Sequence, residues 1–455
     1  MTTVDTKWKR KNILDLKMNH PEEFGRFVQA LANLENSDDW YRICGIHGNT
    51  FAPNDPEVKC PTDEAIVATV SETGEPFYCK HGVYPFIAWH TPYVYQFELL
   101  LNKYNTSEHK EYIALPFLDL TQPGDFTFMN DPTITIVHNK QSVIIDNPLA
   151  CSYYYVDGVK TKTTRNGFLT PTTKREKIQI QKVKKQLNNA LYATTYERFS
   201  SHPVSFSRTN LVTDYIPLES PHNSLHDIIG GDGGNMSYIT ISAFDPIFWL
   251  HHCNMDRHFY SWLYNNTEHF SRSIHPKKIA HETYESTQAP FFKHDIYDTN
   301  PKTYAYGWQN SEKQYMLLKD MLHVEQFPFT YDIIQASPFE PVQSFVELID
   351  VPIPKETVTF VVYIHPKNEE LNKDEHFAGS ASWFGVNRNI QKCSRCEITR
   401  TNIKIDIDEY VRSKGITKEN KDEYTFTIEG EGRMLLGSIY TREELIQDGS
   451  YVCII

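Results

Sequence analysis

The stretch DPIFWLHHCNMDR, residues 245–257, sets two adjacent histidines in an apolar run and closes on Asn254, Asp256 and Arg257. On a helix, neighbouring side chains point about 100° apart, so His251 and His252 are poorly placed to serve one ion together. Phe248, His252, Met255, Phe259 and Trp262 recur at steps of four, three, four and three, which makes an inward-facing stripe. His251 shares its side instead with Ile247, Asn254 and His258. The expectation is one binding imidazole, His252, beside a structural one, His251.

A single core histidine is usually a hydrogen-bonded structural residue, so a metal needs further ligands. Upstream, LESPHNSLHDIIGG (218–231) carries His222 and His226 four residues apart, on one face of a helix. With His252 they make three imidazoles. Nearer the start, WYRICGIHGNTF (40–51) holds His47, and FYCKHGVYPFIAWHTPYVYQFELLL (77–101) holds His81 and His90. Pro92 favours a first helical turn, which places His90 at a helix entrance. Two groups of three histidines point to a dinuclear site.

Ligand chemistry narrows the metal. Imidazole suits copper, zinc and iron, but a di-iron bundle would need Glu ligands and Glu-x-x-His pairs, which these segments lack. Zinc on three histidines stays open. Two ions held by neutral imidazoles alone match copper best.

A chain of 455 residues suggests two domains, one of them large. The net charge of −13 argues against a nucleic-acid partner, which relies on surplus Lys and Arg. The N-terminal stretch lacks the apolar run of a secretory signal and no segment approaches a membrane span, so a cytoplasmic chain without a membrane partner is expected. Eight cysteines are too sparse for a disulfide scaffold. Two placements stand out: Cys79 two residues before His81, and the CxxC of Cys393 and Cys396.

The first two-thirds read mainly helical. In PTTKREKIQIQKVKKQLNNALYATTYERF (171–199), Thr173 and Glu176 have capping-box spacing, and a Lys- and Gln-rich face is expected to be solvated. From residue 344, runs such as SFVELIDVPI, TVTFVVYIHP, TNIKIDIDEYV and EYTFTIEG read as strands of a sandwich or barrel. The expected organisation is a mainly α domain over 1–310, a linker over 311–343 and a β-domain over 344–455.

DPIFWLHHCNMDR, SPHNSLH and FYCKHGVYPFIAWHTPY together resemble the copper motifs of type 3 copper proteins, most closely the fungal tyrosinases, over roughly residues 25–310. The resemblance implies a four-helix bundle around two copper ions, with His47, His81 and His90 on copper A and His222, His226 and His252 on copper B. It implies a thioether between Cys79 and His81. The implied reaction uses O2 to hydroxylate phenols and to oxidise o-diphenols to o-quinones. A monophenol with a pKa near 10 must lose its proton to bind copper well. In this family a Glu and an Asn placed as Glu219 and Asn223 hold a water for that task. Asp227, beside His226, is expected at the pocket mouth, favouring cationic phenols. Phe248 is expected to pack on the ligand rings, and Asp256 to orient a histidine.

The C-terminal part resembles the shielding domain of fungal pro-tyrosinases. EHFAGSASWFGVNRNIQKCSRC (375–396) would place Phe384 in the site as a substrate mimic, with Cys393 and Cys396 implicated in copper loading. The tyrosine motif that closes the catalytic domain is matched by YAYG at Tyr304–Gly307. A latent enzyme is implied, with an activating protease and a copper donor as partners. Catechol oxidase, o-aminophenol oxidase and a hemocyanin-like oxygen carrier remain as alternatives.

Overall fold

Asn12 starts the first helix by accepting from Leu14 N, between strand β1 (Trp8–Arg10) and helix α1 (Ile13–Asn19). A computed structural model describes residues 8–48, 79–156, 159–193, 195–201, 216–265, 285–292, 315–322, 327–334, 344–352, 357–383, 400–417, 419–430, 433–437, 439–440 and 451–454. Helix α2 (Pro21–Glu35) opens on a proline, where the missing N–H costs nothing, and α3 (Asp38–Gly48) follows. Next comes α4 (Phe86–Lys103), then two hairpins, β2 (Thr133–His138) with β3 (Gln141–Asp146) and β4 (Tyr153–Val156) with β5 (Val159–Lys162). The hairpins interrupt a part of the chain that the sequence suggests is helical.

Helix α5 (Lys174–Ala190) carries the complete Thr173–Glu176 capping box. A short α6 (Tyr196–Ser200) leads to α7 (Glu219–Gly230) and α8 (Pro246–Asn265). Helices α4 and α8 form the centre. Phe97 stacks on Trp249 with ring centroids 3.9 Å apart, and Tyr93 meets the same indole at 4.8 Å.

Two expectations about these helices need correction. Helix α4 begins at Phe86, so His90 lies in its second turn and Pro92 is internal. Helix α8 is buried on every side from Pro246 to Leu263, so its stripe does not separate an inner from an outer face. A helix surrounded by other elements has no solvent side, and amphipathic periodicity loses its meaning there.

The expected linker over 311–343 is also corrected in its described parts. Met316, Leu318, Met321, Leu322, Phe327, Phe329 and Tyr331 belong to the apolar core of the helical part. Strand β6 (Thr287–Phe292) pairs with β7 (Tyr315–Leu317), and β8 (Phe329–Tyr331) pairs in parallel with β1, placing Arg10 opposite Tyr331. The chain therefore returns to its own beginning before leaving the helical domain. YAYG at 304–307 lies outside the described residues.

The C-terminal part is a sandwich. One sheet holds β11 (Phe377–Trp383), β10 (Val358–Pro366), β13 (Tyr424–Gly430) and β14 (Arg433–Gly437), in that order. The other holds β12 (Arg400–Asp406), β9 (Phe345–Pro352), β16 (Tyr451–Ile454) and β15 (Ile439–Tyr440). It is not wholly β: the DEYV that reads as strand begins α9 (Asp408–Lys414). Val346, Leu348, Val362, Ile364, Ile405 and Phe426 lie in its own apolar core, separate from that of the helices.

The junction between the two cores is mostly polar. Lys185 of α5 pairs with Asp408 at 2.8 Å and with Asp406 at 3.7 Å, and Lys182 donates to Ala378 O. Thus part of the lysine face of α5, expected to be solvated, receives the β-domain. Ile178 adds an apolar contact to Val361, Tyr363 and Phe377.

Candidate metal centre

Five of the six histidines of interest sit on helices: His47 on α3, His90 on α4, His222 and His226 on α7, and His252 on α8. His81 sits on the irregular segment 79–85 just before α4. All six are buried, and their rings converge. His252 Nε2 lies 3.3 Å from His222 Nε2 and 3.3 Å from His226 Nε2, while His90 Nε2 lies 3.5 Å from His47 Nε2. The His47 and His81 ring centroids are 5.3 Å apart.

The outer ring nitrogens are already committed. Nδ1 of His47 meets Ile239 O at 2.8 Å, that of His90 meets Phe86 O at 2.7 Å, and that of His226 meets Met236 O at 2.8 Å. His222 Nδ1 meets Asn223 Oδ1 at 2.8 Å. A carbonyl oxygen accepts only, so each Nδ1 carries the proton and each Nε2 presents a lone pair. His222 and His226 therefore turn Nε2 lone pairs toward His252, and among these three nitrogens at most one proton, on His252, is left to share. Lone pairs so arranged suit a cation between them.

Burial acts in the same direction. It lowers His47 to about 3 and takes His222, His226 and His252 well below the ordinary imidazole value, with neighbouring imidazoles adding to the effect. The rings stay neutral and ready to coordinate. No carboxylate enters the three buried groupings found among the described residues: His222, His226, His251 and His252; His47, Cys79 and His81; and His47, His90 and His252. Shared His47 and His252 make these one continuous centre. The donor set fits two copper ions, with His47, His81 and His90 able to hold one and His222, His226 and His252 the other.

His251 is nearer than its place on the helix implies. Its ring lies 5.1 Å from His222 and 4.7 Å from His226, centroid to centroid, and it is buried. Phe248 packs 4.8 Å from the His47 ring and 4.2 Å from His252, touching both halves. Cys79 is buried, its sulfur within 4.8 Å of ligand atoms of His47 and His81.

Asp256 does not orient a histidine. It accepts from Thr91 Oγ1 at 2.6 Å, Arg10 at 2.9 Å and Tyr331 at 2.6 Å, so it locks α4, α8, β1 and β8 together. Arg10 also pairs with Glu98 at 2.7 Å and lies 3.6 Å over the Phe329 ring. Nothing local in the sequence around Asp256 shows these partners.

Beside the histidines, Glu219 and Asn223 line a cavity of about 40 Å³, with room for a water molecule. Gly82, Ser201, Ala381, Ser382, Trp383 and Lys404 complete much of its wall, so β11 and β12 of the sandwich lie over it. Asp227 is turned into this junction, where Thr359 Oγ1 and Ser382 Oγ donate to it; it does not face an open pocket mouth. Phe384, which follows Trp383 directly, and Cys393 and Cys396 lie outside the described residues.

The family model "Common central domain of tyrosinase" matches residues 37–265, just over half of the chain. Among curated relatives, a tyrosinase of Neurospora crassa is 28% identical over 327 residues, covering 60% of this chain and 46% of the relative. Polyphenol oxidase 4 of Agaricus bisporus is 28% identical over 305 residues, covering 58% and 48%. The chain thus spans about half the length of these relatives. A structure of latent and active mushroom tyrosinase covers 95% of this chain and 93% of its own at 15% identity, with a TM-score of 0.66. A functional unit from octopus hemocyanin covers 95% and 98% at 18% identity, with a TM-score of 0.60. A helical core with converging imidazoles and a β-rich C-terminal part defines the type 3 copper class. The chain belongs to its tyrosinase family.

Proposed function

We propose that the protein is a copper-dependent phenol oxidase with tyrosinase activity, converting monophenols and o-diphenols to o-quinones with O2, and that it is made in a latent form. The observation that carries this is the convergence of six buried imidazoles, four of which have Nδ1 hydrogen-bonded to an oxygen and so turn the Nε2 lone pair toward the others. Bound there, two copper ions supply the activation of O2 and the electron transfer.

The chain's own residues do the rest. Glu219, held by Gly82 N–H at 2.7 Å and by Ser201 Oγ, and Asn223, held by His222, keep a water-sized space beside the centre. A water there takes the phenol proton, which favours monophenols as substrates as well as diphenols. Phe248 keeps the rings fixed. Cys79 lies close enough to His81 to support a thioether link.

Latency is supported by β11 and β12, which cover the cavity. In this reading Phe384 enters the site, Cys393 and Cys396 assist a copper donor, and a protease activates the chain. Because described residues through 334 pack with the helical domain, the activating cut falls after them. The test is oxidation of L-tyrosine and L-DOPA by copper-loaded protein before and after cleavage within 335–343. Tyrosine oxidation with a lag, rising after cleavage, supports the proposal. Diphenol oxidation alone indicates a catechol oxidase, and reversible O2 binding without turnover indicates a carrier.

A further inference from the structure

Helices position five of the six histidines, but His81 stands on an irregular segment, which therefore needs another anchor. The side chains of a short segment supply it. Tyr196 OH and Ser200 Oγ each donate to Tyr84 O at 2.8 Å. Ser200 Oγ also accepts from Ile87 N at 3.5 Å, near the start of α4, where Pro85 at the N-cap provides no side-chain cap. Ser201 Oγ donates to Glu219, whose other oxygen accepts from Gly82 N–H at 2.7 Å.

This segment is itself fixed to the opposite half of the centre. Phe199 stacks on Trp262 of α8 at 4.9 Å and on Phe259 at 5.9 Å, and Phe199 O accepts from Leu218 N at 2.7 Å at the entrance to α7. The segment thus reaches from the helices of His222, His226 and His252 to the segment of His81.

We infer that Tyr196–Ser201 is a positioning bracket that sets His81 against the rest of the metal centre. The inference rests on the reading of His81 as a copper ligand. A link between Cys79 and His81 would not replace the bracket, because it joins two residues of the same irregular segment. Ser200 and Ser201 are the informative positions: their hydroxyls can be removed without opening a large cavity, whereas Tyr196 also fills core volume.

The test compares the full chain with the S200A/S201A double variant, using Ser201→Thr as the conservative variant and Ser261→Ala as a control for loss of a buried hydroxyl. Anaerobic Cu(I) titration against a competing chelator should find two equivalents in the parent and the control. In the double variant one equivalent should weaken roughly 10–100-fold while the other stays at parental affinity, and Ser201→Thr should retain both. Hydrogen exchange of metal-free protein over residues 79–86 should be at least about tenfold faster in the double variant, with the thermal midpoint within a few degrees of the parent. This second readout does not depend on copper. Parental exchange in the double variant overturns the bracket, as does parental affinity at both copper sites. A parent that takes up no copper but shows the exchange difference overturns the copper reading and leaves the bracket supported.

Discussion

Ser382 Oγ donates to Asp227 Oδ2 at 3.2 Å, joining strand β11 of the sandwich to the residue beside His226. Thr359 donates to the same oxygen. The covering domain is thus held through a polar contact next to the metal centre, and Asp227 is occupied while the domain is docked. Replacing both donors, as in T359V/S382A, leaves a half-buried carboxylate without these two partners, at a cost of about 1 kcal/mol. Small-angle scattering in moderate urea should show the sandwich separating earlier than in the parent. An unchanged transition would remove this contact from the docking interaction. With Asp227 so engaged, the docked chain should show no preference for cationic phenols.

The two histidines of α8 should separate in a copper count. His252 Nε2 faces both His222 and His226, so His252→Ala should hold about one copper ion per chain where the parent holds two. His251→Ala should still hold two, although its ring borders the same group. Equal losses by atomic absorption would make His251 a ligand as well.

Gly48 follows His47 where α3 passes under Thr240. A Cβ at this position would lie 2.2 Å from Thr240 O, and the atoms it meets are backbone. Since His47 Nδ1 is tied to Ile239 O, Gly48→Ala must push the ring and its anchor apart. Copper content should fall toward one ion per chain. Retention of two ions at parental affinity would show that residues 239–241 yield without moving the ring.

Arg10 holds two buried carboxylates, Glu98 and Asp256, with side chains almost wholly excluded from solvent. Arg10→Met preserves much of the volume but leaves both acids without their cation. A loss of about 3–5 kcal/mol in urea unfolding is expected, the usual cost of orphaning a buried ionic partner. A loss below about 1 kcal/mol would mean that water or protonation compensates.

His258 gives a pH prediction away from the centre. Burial, aided by Arg257 and opposed by Asp119, lowers it to about 3. The unfolded chain takes up a proton near pH 6.5, whereas the folded chain does not until about pH 3. Stability therefore falls as the pH drops through that window, by up to about 1.4 kcal/mol per unit. In metal-free protein, His258→Gln should lose about 1–3 kcal/mol less than the parent between pH 7 and 4.5. Equal acid sensitivity would count against it.

The metal centre was largely legible because imidazoles are chemically specific and two of them are four residues apart on one helix. The six proposed ligands and Phe248 could be named from local motifs, and the resemblance to the fungal tyrosinases added Glu219 and Asn223. The strand pattern after residue 344 likewise reveals a β-rich part, since alternation and turn residues are local signals. Helix entry was harder to read: Pro92 looks like a first-turn residue, yet α4 starts six residues earlier because the surrounding core supports an internal proline.

What the sequence determined by itself was therefore chemistry and periodicity: which side chains can bind metal, where a helix is capped, and where the pattern changes to strands. Tertiary structure alone decided which polar groups meet. Asp256 turned to Arg10 and Tyr331 instead of a histidine, Asp227 and Lys185 became docking residues, and Ser200 and Glu219 reached the segment of His81 from more than a hundred residues away. The reason is physical: a buried polar group must find a partner, and that partner is set by packing in space, where neighbours in the sequence carry no signal.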